Sequence, residues 1–234
     1  MKNITWLTII YIWLVSFNTE EKESTCYGTT KNGRLENGVK LPVSGKNFIS
    51  YSNATELESR TYVHSIVKKV VIESYAELNK VNPKKLFKYA ETGFKNGGKF
   101  SPHKTHQNGL SIDFMVPVLD KNNKPTYFLT VAENQYGYDV DFNEQGENEN
   151  LKIDFESLGA HIVALHKASL NNNIELWRII FAPDLQDELY DTKYGNYIKS
   201  NIKIPTKKSW VRHDEHFHVD FKIKCKPLKR GKGS

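Results

Sequence analysis

Five of the eight histidines fall in two short stretches, and both stretches mix imidazole with carboxylate. Gly97 to Asp113 reads GGKFSPHKTHQNGLSID, and Trp210 to Phe221 reads WVRHDEHFHVDF. These are borderline ligands that suit zinc, and a catalytic zinc keeps three protein ligands and an open position. The elements that carry them decide which residues can converge. SIDFMVPV, Ser111 to Val118, favours a strand, with Ser111, Asp113 and Met115 on one face and Ile112, Phe114 and Val116 on the other. His106 lies upstream of the turn-prone Asn108 and Gly109, so the chain can fold back and bring imidazole to carboxylate. In an extended HFHVDF, His216 and His218 share a face, whereas Glu215, Phe217, Val219 and Phe221 take the other, which leaves Glu215 out of the site. His106, Asp113 and His218 would fill the three ligand positions.

A lone His-X-His pair is common on exposed strands and carries little by itself. The two stretches together carry far more: SPHKTHQNGLSID followed by HDEHFHV resembles the penicillin-insensitive murein endopeptidases. These belong to the zinc peptidases that include lysostaphin, D-alanyl-D-alanine carboxypeptidases and the hedgehog signalling domain. The family pattern His-X-X-His-Gln-X-Gly-Leu-X-X-Asp, then His-Asp-X-His-X-His-Val, is kept at every named position. The segment Asn32 to Gly45 also looks like the family's amino-terminal segment, so the resemblance runs from about Cys26 to Cys225. Ala132 to Asp154 departs from it.

The resemblance implies one zinc ion per chain held by His106, Asp113 and His218, with His103, His213 and His216 lining the cleft around it. His216, sharing a face with His218, is the candidate general base; His213 and His103 would orient it or stabilise an oxyanion. The implied substrate is the peptide cross-link of peptidoglycan. The alternatives are a carboxypeptidase trimming uncross-linked stem peptides and a non-catalytic zinc-stabilised wall-binding module. The implied fold is α+β: a central antiparallel sheet carrying Asp113 and His218, flanked by helices, as in hedgehog and D-Ala-D-Ala peptidases.

A net charge of +6 could suggest a nucleic-acid partner, but its placement argues against one. Lys222, Lys224, Lys226, Lys229, Arg230 and Lys232 supply the excess, and the chain before them is balanced at 27 basic and 27 acidic residues. With 38% hydrophobic residues the body is neither disordered nor membrane-embedded. Ile4 to Phe17 is an apolar run about 21 Å long as a helix, short of the roughly 30 Å hydrocarbon core. It reads as a signal-peptide core or an uncleaved anchor with inner-membrane association through residues 4–17. Either way the body is expected in the periplasm, where Cys26 and Cys225 favour one bridge over two free thiols. The expected division is 1–25 export segment and linker, 26–225 zinc endopeptidase domain, and 226–234 basic tail.

Between these landmarks, Tyr27 to Gly45 reads as an ordered loop with turns, and Phe48 to Tyr51 as a short strand. Apolar spacing marks helices at about Ser59 to Asn79, with His64 off the stripe and exposed, and at Phe155 to Leu170, with structural His161 and His166. Leu86 to Ala90 is an expected strand feeding a loop in which Gly97 and Gly98 allow close approach to a ligand. Tyr127 to Val131 would return beside the Asp113 strand; Ala132 to Asp154 reads as a solvated acidic insertion with a cleft flap as the functional alternative. Ile174 to Ala182 reads as a buried strand and Leu185 to Tyr197 as a helix.

Overall fold

The computed structural model describes residues 22–52, 59–127, 129–207, 209 and 211–228. The apolar run at 4–17 and the end of the basic tail lie outside the described residues, and no described helix is long and apolar enough to cross a membrane. The strands in chain order are β1 (Thr25–Thr29), β2 (Asn32–Glu36), β3 (Val39–Lys40), β4 (Phe48–Ser50), β5 (Tyr62–Val63), β6 (Phe87–Tyr89), β7 (Ser111–Met115), β8 (Val118–Asp120), β9 (Pro125–Thr126), β10 (Leu151–Ile153), β11 (Glu175–Ile180) and β12 (His216–Lys222). The helices are α1 (Ser65–Val81), α2 (Phe155–Asn171), α3 (Gln186–Tyr190) and α4 (Gly195–Asn201).

The architecture is mixed α+β with several sheets, of which the five-stranded one, ordered β11-β12-β7-β6-β4, holds the site. It is not wholly antiparallel, because β4 runs parallel to β6. Its central pair, β7 and β12, sets His218 directly opposite Asp113 and Asp220 opposite Ser111. Helices α1 and α2 cover the face opposite the site. Tyr75 of α1 and His161 of α2 pack on Phe87, Phe114 and Phe217, which point away from Asp113, His216 and His218 by the two-residue strand period.

Several sequence expectations shift for local reasons. The long strand 111–118 divides into β7 and β8 around Val116–Pro117, since proline cannot donate to a ladder. The strands paired with β8 are β10 and Pro125–Thr126, not Tyr127–Val131. Tyr27 to Gly45 contains the β1–β2 hairpin as well as turns. The helix expected from Ser59 starts at Ser65, because Tyr62 and Val63 pair with β3 and His64 caps the helix. His64 is buried, not exposed: its Nδ1 accepts from the Ile66 amide at 3.3 Å, and its own amide donates to the Gly109 carbonyl. The helix expected over Leu185–Tyr197 is two helices; a side chain at Gly195 would meet the Tyr190 carbonyl, so the chain turns there on glycine. Leu170, expected on the packed stripe of α2, is exposed.

Cys26 and Cys225 are bridged across 199 residues of sequence. The bond ties β1 to the segment leaving β12, where Lys226 and Cys26 also share a backbone hydrogen bond. In the chain-entropy account such a closure contributes up to about 5 kcal/mol.

Candidate metal centre

Asp113 is the centre of the site, fully buried, with its two oxygens facing different partners. Oδ1 lies 2.7 Å from His218 Nδ1 and 3.4 Å from His106 Nε2. Oδ2 lies 3.0 Å from the Tyr138 hydroxyl, 3.7 Å from His103 Nδ1 and 4.0 Å from His216 Nε2. The carboxylate thus sorts the histidines into two sets. Burial opposes its charge, yet the imidazoles of His106, His216 and His218 hold its pKa well below the usual carboxylate range.

His106 is brought there by a strained turn. Its φ is 68°, and the following Gly109 has φ 76°, where a Cβ would lie 2.7 Å from the His64 amide nitrogen. His106 Nδ1 donates to the Thr92 carbonyl at 3.0 Å, which leaves Nε2 as the acceptor nitrogen. That buried Nε2 has no hydrogen-bond partner, and burial lowers the pKa of the ring, so it stays neutral with its lone pair aimed at Asp113. An orphaned imidazole nitrogen beside a carboxylate fits a cation. Among the described residues, His103, His106 and Asp113 each offer a ligand atom within 4.8 Å of one another.

Behind the histidines stands a layer of carboxylates. Glu91 receives His103 Nε2 at 2.5 Å and is itself gripped by Arg60, with the Tyr51 hydroxyl at 3.3 Å. Asp220 lies 3.0 Å from His218 Nε2 and is fixed by Ser111 at 2.6 Å and Arg178 at 2.7 Å. Burial opposes a charge on His218, but Asp220 and Asp113 outweigh it and raise the pKa to about 10. Glu215 touches His216 Nδ1 at 2.6 Å. Its expected place on the opposite face fails because Glu215 precedes β12, so strand alternation does not reach it. Burial raises Glu215 to about 8 and lowers His216 to about 4. His213 Nδ1 lies 2.9 Å from the Val211 carbonyl, and burial brings its pKa to about 3.

All six expected site residues, His103, His106, Asp113, His213, His216 and His218, converge here, and all but His106 line one cleft of ≈ 760 Å³. Gly97 acts differently from expectation: a Cβ there would meet the Gln107 carbonyl and the Leu35 amide, so its close approach is to the chain itself, whereas a Cβ on Gly98 would meet nothing within 4 Å. Four contributors were invisible locally: Tyr51, Arg60, Glu91 and Tyr138 come from distant segments, and Tyr138 belongs to the stretch expected to be solvated. Asp220 carried a signal, sharing the His218 face by strand period.

Fold and site together define a class: a mixed α+β protein with a histidine–carboxylate cluster, able to hold a metal ion, at the base of a cleft. The sequence profile of the penicillin-insensitive murein endopeptidases matches residues 26–231. The chain belongs to that family, and is therefore a hydrolase of murein that acts outside the cytoplasm, a setting the Cys26–Cys225 bridge fits. Among curated proteins, none is similar enough to serve as a relative.

Proposed function

We propose that the protein is a periplasmic zinc metallopeptidase that hydrolyses the peptide cross-links of peptidoglycan, with His106, Asp113 and His218 as the ligands. The observation that carries the ligand set is the division of Asp113: the oxygen facing His106 and His218 is distinct from the one facing His103 and His216. His218 is preferred to His103 because its nitrogen lies closer to the carboxylate, and because Asp220 behind it completes the carboxylate–imidazole arrangement common at metal ligands. Zinc held by these residues would supply Lewis acidity to the site.

The chain's own groups do the rest. His216 donates its Nδ1–H to Glu215 at 2.6 Å, which leaves Nε2 as the nitrogen that takes a proton and passes it to the leaving amine. His213 packs 4.6 Å from the His216 ring and offers Nε2 to orient a substrate group. His103 opposes developing negative charge: burial works against its protonation, but Glu91 and Asp113 raise its pKa. Residues 26–225 form the working domain, 1–25 the export segment, with inner-membrane association through 4–17 if it stays uncleaved, and 226–234 a basic tail.

The test is digestion of purified sacculi with zinc-loaded and chelator-treated protein, products separated by mass spectrometry. Cross-linked dimers should disappear only with the loaded protein. Consumption of monomers alone would identify a carboxypeptidase, and unchanged muropeptides would reject the enzyme reading.

A further inference from the structure

We propose that Tyr138 is a positioning residue for Asp113: its hydroxyl occupies Oδ2, so that Oδ1 alone is presented to His106 and His218. This rests on the metal-centre reading above. The hydroxyl proton goes to Asp113 Oδ2 at 3.0 Å, because the other contact of the Tyr138 hydroxyl, the Glu91 amide at 3.3 Å, is itself a donor. The phenol ring is set edge-on between His103, 5.8 Å away, and His216, 4.9 Å away, so it cannot swing without displacing both. A carboxylate can offer a cation one oxygen or two. A neutral donor fixed on the second oxygen selects the first mode and orients the plane.

The segment that delivers Tyr138 is built for that purpose. Gln135 and Tyr136 hold left-handed backbone at φ 48° and 58°, a conformation that costs non-glycine residues of order 1 kcal/mol or more each. Asn134 holds the turn: its Oδ1 accepts from the Val131 and Gly137 amides, both at 3.0 Å, and its Nδ2 donates to the Leu129 carbonyl at 2.7 Å. On the far side, the Phe142 amide donates to Asp214 Oδ2 at 2.7 Å, and Arg212 binds both the Phe142 carbonyl and Asp214. The turn is therefore latched to the segment that leads into β12. Strain held from both ends, with one side chain reaching the buried carboxylate, points to position and not to surface filling.

The test is Tyr138→Phe, which removes the hydroxyl and keeps the ring. Zinc affinity is measured by competition with a chromogenic chelator, alongside the melting temperature of the metal-free protein. The expected result is about a 10- to 100-fold weaker affinity with the metal-free melting temperature unchanged, and recovery of cross-link hydrolysis as zinc is raised. Affinity equal to that of the unaltered protein would overturn the inference while leaving the metal centre standing. Failure of the unaltered protein to bind zinc would reject the metal centre and the inference with it. Asn134→Ala, which loosens the turn and leaves Tyr138 intact, should weaken zinc in the same direction by a smaller factor. Should Tyr138→Phe not fold, unchanged affinity in Asn134→Ala overturns the inference.

Discussion

His218 and His161 are both deeply buried and lie on opposite faces of the same sheet, yet their chemistry diverges. His218 has a carboxylate on each ring nitrogen and a pKa raised to about 10. His161 sits among Tyr75, Phe87, Phe114 and Phe217 with neither nitrogen partnered, and burial alone lowers its pKa to about 3. Burial does not make a histidine functional. What separates the two is whether the chain has brought charge to meet the ring, and at His218 it has done so with Asp113 of β7 and Asp220 of β12, the latter held by Arg178 of β11.

The largest effect expected from breaking this contrast is on the site face. Asp113→Asn or His106→Ala should reduce cross-link hydrolysis by about three orders of magnitude or more, measured on sacculi, while far-UV circular dichroism stays that of the unaltered protein. Next comes the bridge that fastens β1 beyond β12. Replacing Cys26 and Cys225 with serine should cost up to about 5 kcal/mol in denaturant unfolding, and a loss below about 1 kcal/mol would show that the sheet holds both faces without it.

A smaller effect sharpens the role of the carboxylate layer. Asp220→Asn keeps the shape behind His218 but removes the charge, and zinc affinity should fall about 10- to 100-fold by chelator competition. The apolar face gives the smallest effect and the opposite sign. An unfolded histidine protonates near pH 6.5, while buried His161 resists protonation down to about 3. Stability is therefore lost as pH falls through that window. His161→Leu should remove about 2 kcal/mol of the loss between pH 7 and pH 5, read from urea unfolding of metal-free protein at both values. An unchanged acid loss would mean that His161 finds a partner in solution.

The site was largely legible in the sequence because its ligand candidates lie in two contiguous motifs, and strand alternation fixes which of them share a face. Helix 155–171 and strand 175–180 followed from apolar spacing in the same way. What escaped were features that depend on distance or on the edge of an element. His64 looked exposed because capping is invisible to an apolar stripe. Glu215 looked excluded because it precedes its strand by one residue. Glu91 and Tyr138 reach the histidines, and Arg60 reaches Glu91, by tertiary folding alone, and the acidic composition around Tyr138 disguised a structural turn as solvated chain.

The most direct test of the sorting by Asp113 compares zinc content in His218→Ala and His103→Ala, purified side by side and measured by atomic emission. The account predicts about one zinc per chain in His103→Ala and little or none in His218→Ala. Zinc retained in His218→Ala and lost in His103→Ala would contradict it.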